Sequence, residues 1–217
     1  MKQYDLIFDI DGTIWDSCEA VHESWKLSLR ERYGCFGSPS LEQVRSIMGK
    51  TPDEIAELLF SRFGKNKRSV FDALSQDECA YLAAHGALLY PGVAETLGAL
   101  ARDHRLFIVS NCQTGYIEAL FAATGFEPYF EEARCAGVTG LGKSDNLRAL
   151  IRDLSLKNPF YVGDTEGDEI AAREAGCGFL HAAYGFGSAK APDAVLKSFS
   201  ELPVLLITLE SEVPAHV

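Results

Sequence analysis

The chain has 217 residues, 47% apolar and 24% charged, with a net charge of −11. That length supports one domain with a modest insertion and a full hydrophobic core, while the composition excludes disorder, collagen and coiled coil, and no apolar run approaches the ~18 residues of a spanning helix. The acid excess repels polyanions, so neither nucleic acid nor a membrane is an expected partner, whereas a small anionic metabolite can bind where a metal or local cations reverse the sign.

Leu6-Ile7-Phe8 reads as a strand buried on both faces, and it runs into Asp9-Ile10-Asp11-Gly12-Thr13. A helix is predicted over 20–33, closed by Gly34. Capping boxes open at Ser40 and at Thr51, the second with a proline at the first helical position. Ile55, Leu58, Leu59 and Phe63 follow at helical spacing and are expected to be core. More helix is predicted between 69 and 85, and no strand between 16 and 90.

From Tyr90-Pro91-Gly92 onward, helices and strands alternate. Helices are predicted over 93–103, 116–124, 144–154, 166–175 and 201–209. Strands are predicted over 106–109, 132–136, 160–162 and 178–182. This alternation implies an α/β fold, a Rossmann-like parallel sheet with helices on both faces. Residues 1–15 and 91–217 would form that core, and 16–90 a small all-helical cap. The crossings at 14–17 and 86–92 would act as hinges. Residues 16–90 carry 11 acids and 9 bases and the remainder 20 acids and 11 bases, so the acid excess lies in the core. The six cysteines, at 18, 35, 79, 112, 135 and 177, form no CxxC unit. They read as reduced thiols that fill apolar space in a cytoplasmic protein. The start, MKQYDLIFDI, lacks a basic-then-apolar leader pattern.

Ligands of open parallel sheets bind beyond the carboxyl ends of the strands. The residues at those positions are Asp9, Asp11, Gly12 and Thr13, then Ser110 and Asn111, then Gly163, Asp164, Thr165 and Asp168. Lys143, in a Gly-Leu-Gly-Lys loop, can reach the same edge. Four gathered carboxylates repel one another, and an oxygen-only ligand set favours Mg2+. Lys143, Ser110 and free amides suit phosphate oxygens. One carboxylate can then attack phosphorus, and a second can protonate the leaving group and activate water.

Phe8-Asp9-Ile10-Asp11-Gly12-Thr13, Val109-Ser110-Asn111, Lys143, and Val162-Gly163-Asp164-Thr165-Glu166-Gly167-Asp168 occur in the order of the four motifs of the haloacid dehalogenase superfamily. The chain resembles that superfamily along essentially its whole length. Its layout, with a helical insert after the first motif and a Tyr184-Gly185-Phe186-Gly187 turn, is similar to the phosphoglycolate phosphatase-like subgroup. The resemblance implies Asp9 as nucleophile and metal ligand, and Asp11 as general acid/base with its backbone carbonyl on the metal. It implies Ser110 and Asn111, with the Gly12 turn, around the phosphoryl group, and Lys143 balancing charge. Asp164 would hold Mg2+ directly, and Asp168 directly or through water. An aspartate at position 11 argues for phosphoryl transfer over dehalogenation.

The reaction so implied is Mg2+-dependent hydrolysis of a small phosphomonoester, phosphoglycolate-like or a sugar phosphate, through an aspartyl-phosphate. A phosphosugar mutase shares the core motifs, a phospho-accepting signalling domain shares the acid cluster, and a non-catalytic interaction protein is the third alternative. Monomer and homodimer are both open. Gly49 and Lys50 fall where related caps contact substrate, and Trp15 stands near a hinge, where it could narrow the entrance or pack under the cap. Arg62, Lys65, Lys67 and Arg68 read as a solvated helix end.

Overall fold

The computed structural model describes residues 3–212. Chain order runs β1 (Asp5–Phe8), β2 (Trp15–Asp16), α1 (Cys18–Tyr33), α2 (Leu41–Arg45), α3 (Pro52–Phe60), α4 (Lys67–His85) and β3 (Leu88–Leu89). It continues with α5 (Val93–Leu100), β4 (Arg105–Ser110), α6 (Tyr116–Thr124), β5 (Glu132–Cys135), α7 (Ala136–Thr139), α8 (Lys143–Asp153) and β6 (Pro159–Gly163). The last elements are α9 (Glu166–Ala175), β7 (Gly178–Ala182), β8 (Ala194–Leu196) and α10 (Leu202–Glu212).

Six strands form one sheet in the order β5-β4-β1-β6-β7-β8, and every pairing is parallel. The chain builds outward from β1 to one side, then returns to build to the other. The order therefore reverses beside β1, and a crevice opens there at the carboxyl ends of the strands. Phe8 pairs with Ile108 on one side and Val162 on the other, so the residues after β1, β4 and β6 meet at one edge.

The alternation of a strand's side chains divides the core in two. Leu6, Phe8, Ile108, Val162 and Leu180 face a cluster with Leu97, Leu120 and Leu202. Ile7, Phe107, Val109, Tyr161 and Phe179 face the opposite cluster, with Leu147, Leu150 and Ala172. A third cluster lies among α1 to α4, built on Trp25, Phe60, Phe71 and Leu74. The capping boxes at Ser40 and Thr51 are both formed.

Three expectations are corrected. Residues 16–90 do contain strand: Trp15–Asp16 pairs antiparallel with Leu88–Leu89, where the chain leaves and re-enters the sheet region. Two-residue strands are too short to leave a period in the sequence. Leu58, placed in the core by its spacing, is exposed on the outer face of α3, while Ile55, Ala56 and Phe60 fill the inner face. The sheet also gains a short sixth strand, β8, whose three residues carry no readable alternation. Arg62, Lys67 and Arg68 are bound at the surface, by the Gly37 carbonyl, Glu57, and Asp53 with Asp72 respectively.

Candidate active site

Asp9, the first residue beyond β1, keeps to the sheet ladder by donating its N–H to the Val162 carbonyl at 2.9 Å. Its side chain is buried. Oδ2 accepts from Lys143 Nζ at 2.8 Å, and Oδ1 has no partner among the described residues. Lys143 opens α8, and the same ammonium donates to Asp168 Oδ1 at 2.5 Å. Asp168 serves its own helix as well. Its Oδ2 accepts the N–H groups of Asp164 and Thr165 and the Thr165 hydroxyl, closing a capping box that fixes its rotamer. Asp164 Oδ2 is held by the N–H groups of Phe186 at 2.7 Å and Gly187 at 3.2 Å, in the turn after β7.

Carboxylate oxygens of Asp9, Asp164 and Asp168 lie within 4.8 Å of one another, all buried. Burial pushes Asp9 up to about 6 against the pull of Lys143, with Asp168 adding to the rise. Burial, then Asp168 and Asp9, push Asp164 up to about 8. Burial disfavours the Lys143 charge, but Asp168 and Asp9 outweigh it and hold the ammonium above the ordinary lysine value. One cation thus faces three acids. The orphaned Oδ1 of Asp9 and the all-oxygen donor set fit a hard divalent ion.

Gly12 lets the loop after β1 close over Asp164. Its φ is +79°, and a Cβ there would collide with the Asp164 carboxylate.

The Asp11 carboxylate stands outside the three-acid cluster. Its Oδ1 receives the Ser17 hydroxyl at 2.6 Å, the Tyr116 hydroxyl at 2.6 Å and the Trp15 indole N–H at 3.1 Å. Ser17 sits at the N-cap of α1 but makes no side-chain cap bond, because its hydroxyl is turned to Asp11. Burial raises Asp11 above the ordinary carboxylate value, and the three donors lower it in part.

A cavity of about 40 Å³ adjoins Asp9 and Asp11. The sheet edge contributes Ser110, Asn111, Cys112, Gln113 and Tyr116 to its wall, and the helical segment contributes Trp25, Gly49, Lys50, Phe71 and Glu78. Ser110 is buried at the end of β4, and its Oγ accepts the Cys112 N–H at 3.3 Å. Asn111 Nδ2 donates to the Gly49 carbonyl at 3.1 Å, while its Oδ1 is buried without a partner among the described residues. Gly49 and Lys50 border the cavity. Trp15 does not: it is wholly buried in the core, with its indole turned to Asp11.

Tyr116 and Glu78 are wall residues that the sequence did not single out. Tyr116 opens α6 behind the Gly115 turn. Glu78 lies on α4 in register with Phe71, Leu74 and Leu82, where an apolar residue belongs. An acid on an apolar stripe is the signal that could have found it.

Comparison with known proteins supplies the family context. A family model described as haloacid dehalogenase-like hydrolase matches residues 6–182. A phosphoglycolate phosphatase of Rhodobacter capsulatus is 30% identical over an alignment spanning 91% of this chain and 94% of that protein. One from Photobacterium profundum is 29% identical, spanning 93% and 96%. A crystal structure of a predicted phosphoglycolate phosphatase from Haemophilus somnus superposes with a TM-score of 0.77 at 25% identity, covering 96% of this chain and 99% of that one.

Proposed function

The chain belongs to the haloacid dehalogenase-like hydrolase family, and from that premise we propose that it is a phosphatase hydrolysing a small phosphomonoester through a phosphorylated Asp9. The observation that carries this reading is the meeting of Asp9, Asp164 and Asp168 around Lys143, with one Asp9 oxygen buried and unpartnered. The curated relatives named phosphoglycolate phosphatase support the reaction class.

Asp9, Asp164 and Asp168 would hold Mg2+, with the Asp11 carbonyl. When bound, the ion neutralises phosphoryl charge and screens the acids from one another. Lys143 keeps Asp9 ionised and aimed. Ser110, Asn111 and the amides of the loop after β1 cradle the phosphoryl oxygens. An Asp9 carboxylate oxygen bonds to phosphorus as the bond to the leaving oxygen breaks, and Asp11 gives that oxygen its proton. Asp11, now a carboxylate, takes a proton from water as the water oxygen attacks phosphorus. Phosphate leaves, and Asp9 and Asp11 return to their starting states.

Residues 16–90 act as a cap over this chemistry, pivoting at the β2–β3 ribbon and excluding bulk water when closed. The Asn111–Gly49 hydrogen bond joins the cap to the phosphate loop.

The test is phosphate release from p-nitrophenyl phosphate and a panel of small phosphorylated metabolites, with and without Mg2+. Hydroxylamine should trap a hydroxamate at residue 9 during turnover. Full turnover by Asp9→Asn would refute the nucleophile.

A further inference from the structure

Glu78 takes no part in the chemistry above, yet it is buried in the wall of the same cavity that Asp9 and Asp11 border. Trp25 Nε1 donates to its Oε2 at 2.6 Å, and Gln113 Nε2 to its Oε1 at 2.8 Å. Both oxygens are thus fixed by neutral donors. Among the described residues it forms no ion pair with lysine or arginine. A carboxyl group at such a site is costly unless something uses it.

The leaving alcohol must occupy this cavity, because the phosphoryl end is fixed by Asp9 and the acid for the leaving oxygen is Asp11. Whatever that alcohol carries is presented to Glu78. A hydroxyl can donate and accept, so it satisfies Glu78 with or without a proton. A carboxylate only accepts, so it requires Glu78 to be protonated and brings a second acid into a dry space. Lys50 also borders the cavity, but it is half-exposed and has Glu54 nearby, whose pKa the Thr51 N–H and hydroxyl lower first and Lys50 in smaller part. It is screened by solvent as the buried Glu78 is not.

We propose that Glu78 selects the leaving group: it binds a hydroxyl on the alcohol and rejects a carboxylate, so the substrate is a short hydroxylated phosphomonoester, a polyol phosphate and not a phosphorylated hydroxy acid. This rests on the phosphatase reading above. It also separates the chain's specificity from the phosphoglycolate named in its relatives.

The test compares 2-hydroxyethyl phosphate with 2-phosphoglycolate, which differ only in a terminal CH2OH or carboxylate. Assayed at pH 9, where the buried Glu78 is a carboxylate, the wild-type protein with Mg2+ should favour the first by about tenfold or more in kcat/KM. Glu78→Gln, and Glu78→Met as an apolar variant of similar length, should narrow that ratio by about tenfold. A purely structural Glu78 would change turnover of both substrates alike and leave the ratio in place. A wild-type preference for 2-phosphoglycolate, or a ratio that neither variant moves, overturns the assignment and leaves the phosphatase reading standing. The wild-type ratio needs no variant, so a poorly folding Gln or Met protein does not shield the claim. Failure to hydrolyse both compounds, p-nitrophenyl phosphate and acetyl phosphate overturns the two readings together.

Discussion

The Tyr116 hydroxyl donates to Asp11 Oδ1 across 2.6 Å, although 105 residues separate the two in the chain. With Ser17 and Trp15 it places three donors on one oxygen, and among the described residues no protein donor falls on the other. Asp11 is therefore oriented, with Oδ2 left for the reaction. Tyr116→Phe should lower kcat by about tenfold and leave KM within about twofold, since the hydroxyl orients the acid and does not hold the substrate. Steady-state kinetics on any hydrolysed phosphomonoester checks this. A KM effect with unchanged kcat would assign Tyr116 to binding.

Among the described residues, Lys143 is the one cation within the three-acid cluster, 2.8 Å from Asp9 and 2.5 Å from Asp168. Lys143→Met leaves those acids uncompensated in a buried site. The metal-free protein should lose about 3–5 kcal/mol of stability, as when one partner of a buried ion pair is removed. Mg2+ should restore part of that loss. Urea denaturation with and without Mg2+ measures both quantities, and a variant as stable as wild type without metal would contradict the charge balance described here.

Asp164 is pushed up to about 8 and Asp9 up to about 6 by burial among other acids. A divalent ion needs both as carboxylates, so binding releases protons below those values. Mg2+ affinity should rise from pH 5 to pH 8 and level off above. The rise in melting temperature at fixed Mg2+ should follow the same course. An affinity independent of pH across that window would mean these acids are not the ligands.

Burial pushes Glu78 up to about 8 from an ordinary 4.5, against the donors Gln113 and Trp25. The folded state holds that proton more tightly than the unfolded one. No stability is lost below about pH 4.5, where both states are protonated. Loss grows as pH rises toward 8 and is complete above it, at about 1.4 kcal/mol per unit of separation. Glu78→Gln should thus gain on the order of a few kcal/mol relative to wild type at pH 8.5 and little at pH 4.5. Paired denaturation curves at the two pH values test the difference.

Gly12→Ala combines a strained φ of +79° with a collision against the Asp164 carboxylate. It should cost about 1–3 kcal/mol and weaken Mg2+ binding, read by melting with and without the ion. Normal Mg2+ affinity in this variant would show that the loop after β1 can move without disturbing the metal ligands.

Much of the sheet edge was legible because its residues follow directly on readable strands. Asp9 and Ser110 directly follow a run of bulky apolar residues, and Asp164 follows one after a single glycine. The Thr165–Asp168 spacing announces a capping box, which is what fixes Asp168. Tyr116 was not legible as an Asp11 partner, because its contact depends on how α6 packs beside β2. Trp15, near a hinge, read either as an entrance residue or as one packed under the cap; only packing reveals that its indole turns inward. The β2–β3 ribbon was hidden by its length, and Leu58 was misplaced because a stripe of period 3.6 spans more of α3 than the core covers.

Ser17 begins a helix and withholds its hydroxyl from it. Judged by position, replacing it with alanine looks like the loss of an N-cap and a small thermal lesion. The geometry assigns it the opposite profile: a helix that melts as before, attached to an acid that has lost its bearing. Inherited or engineered changes at this serine would then pass every assay of folding and fail only against the clock.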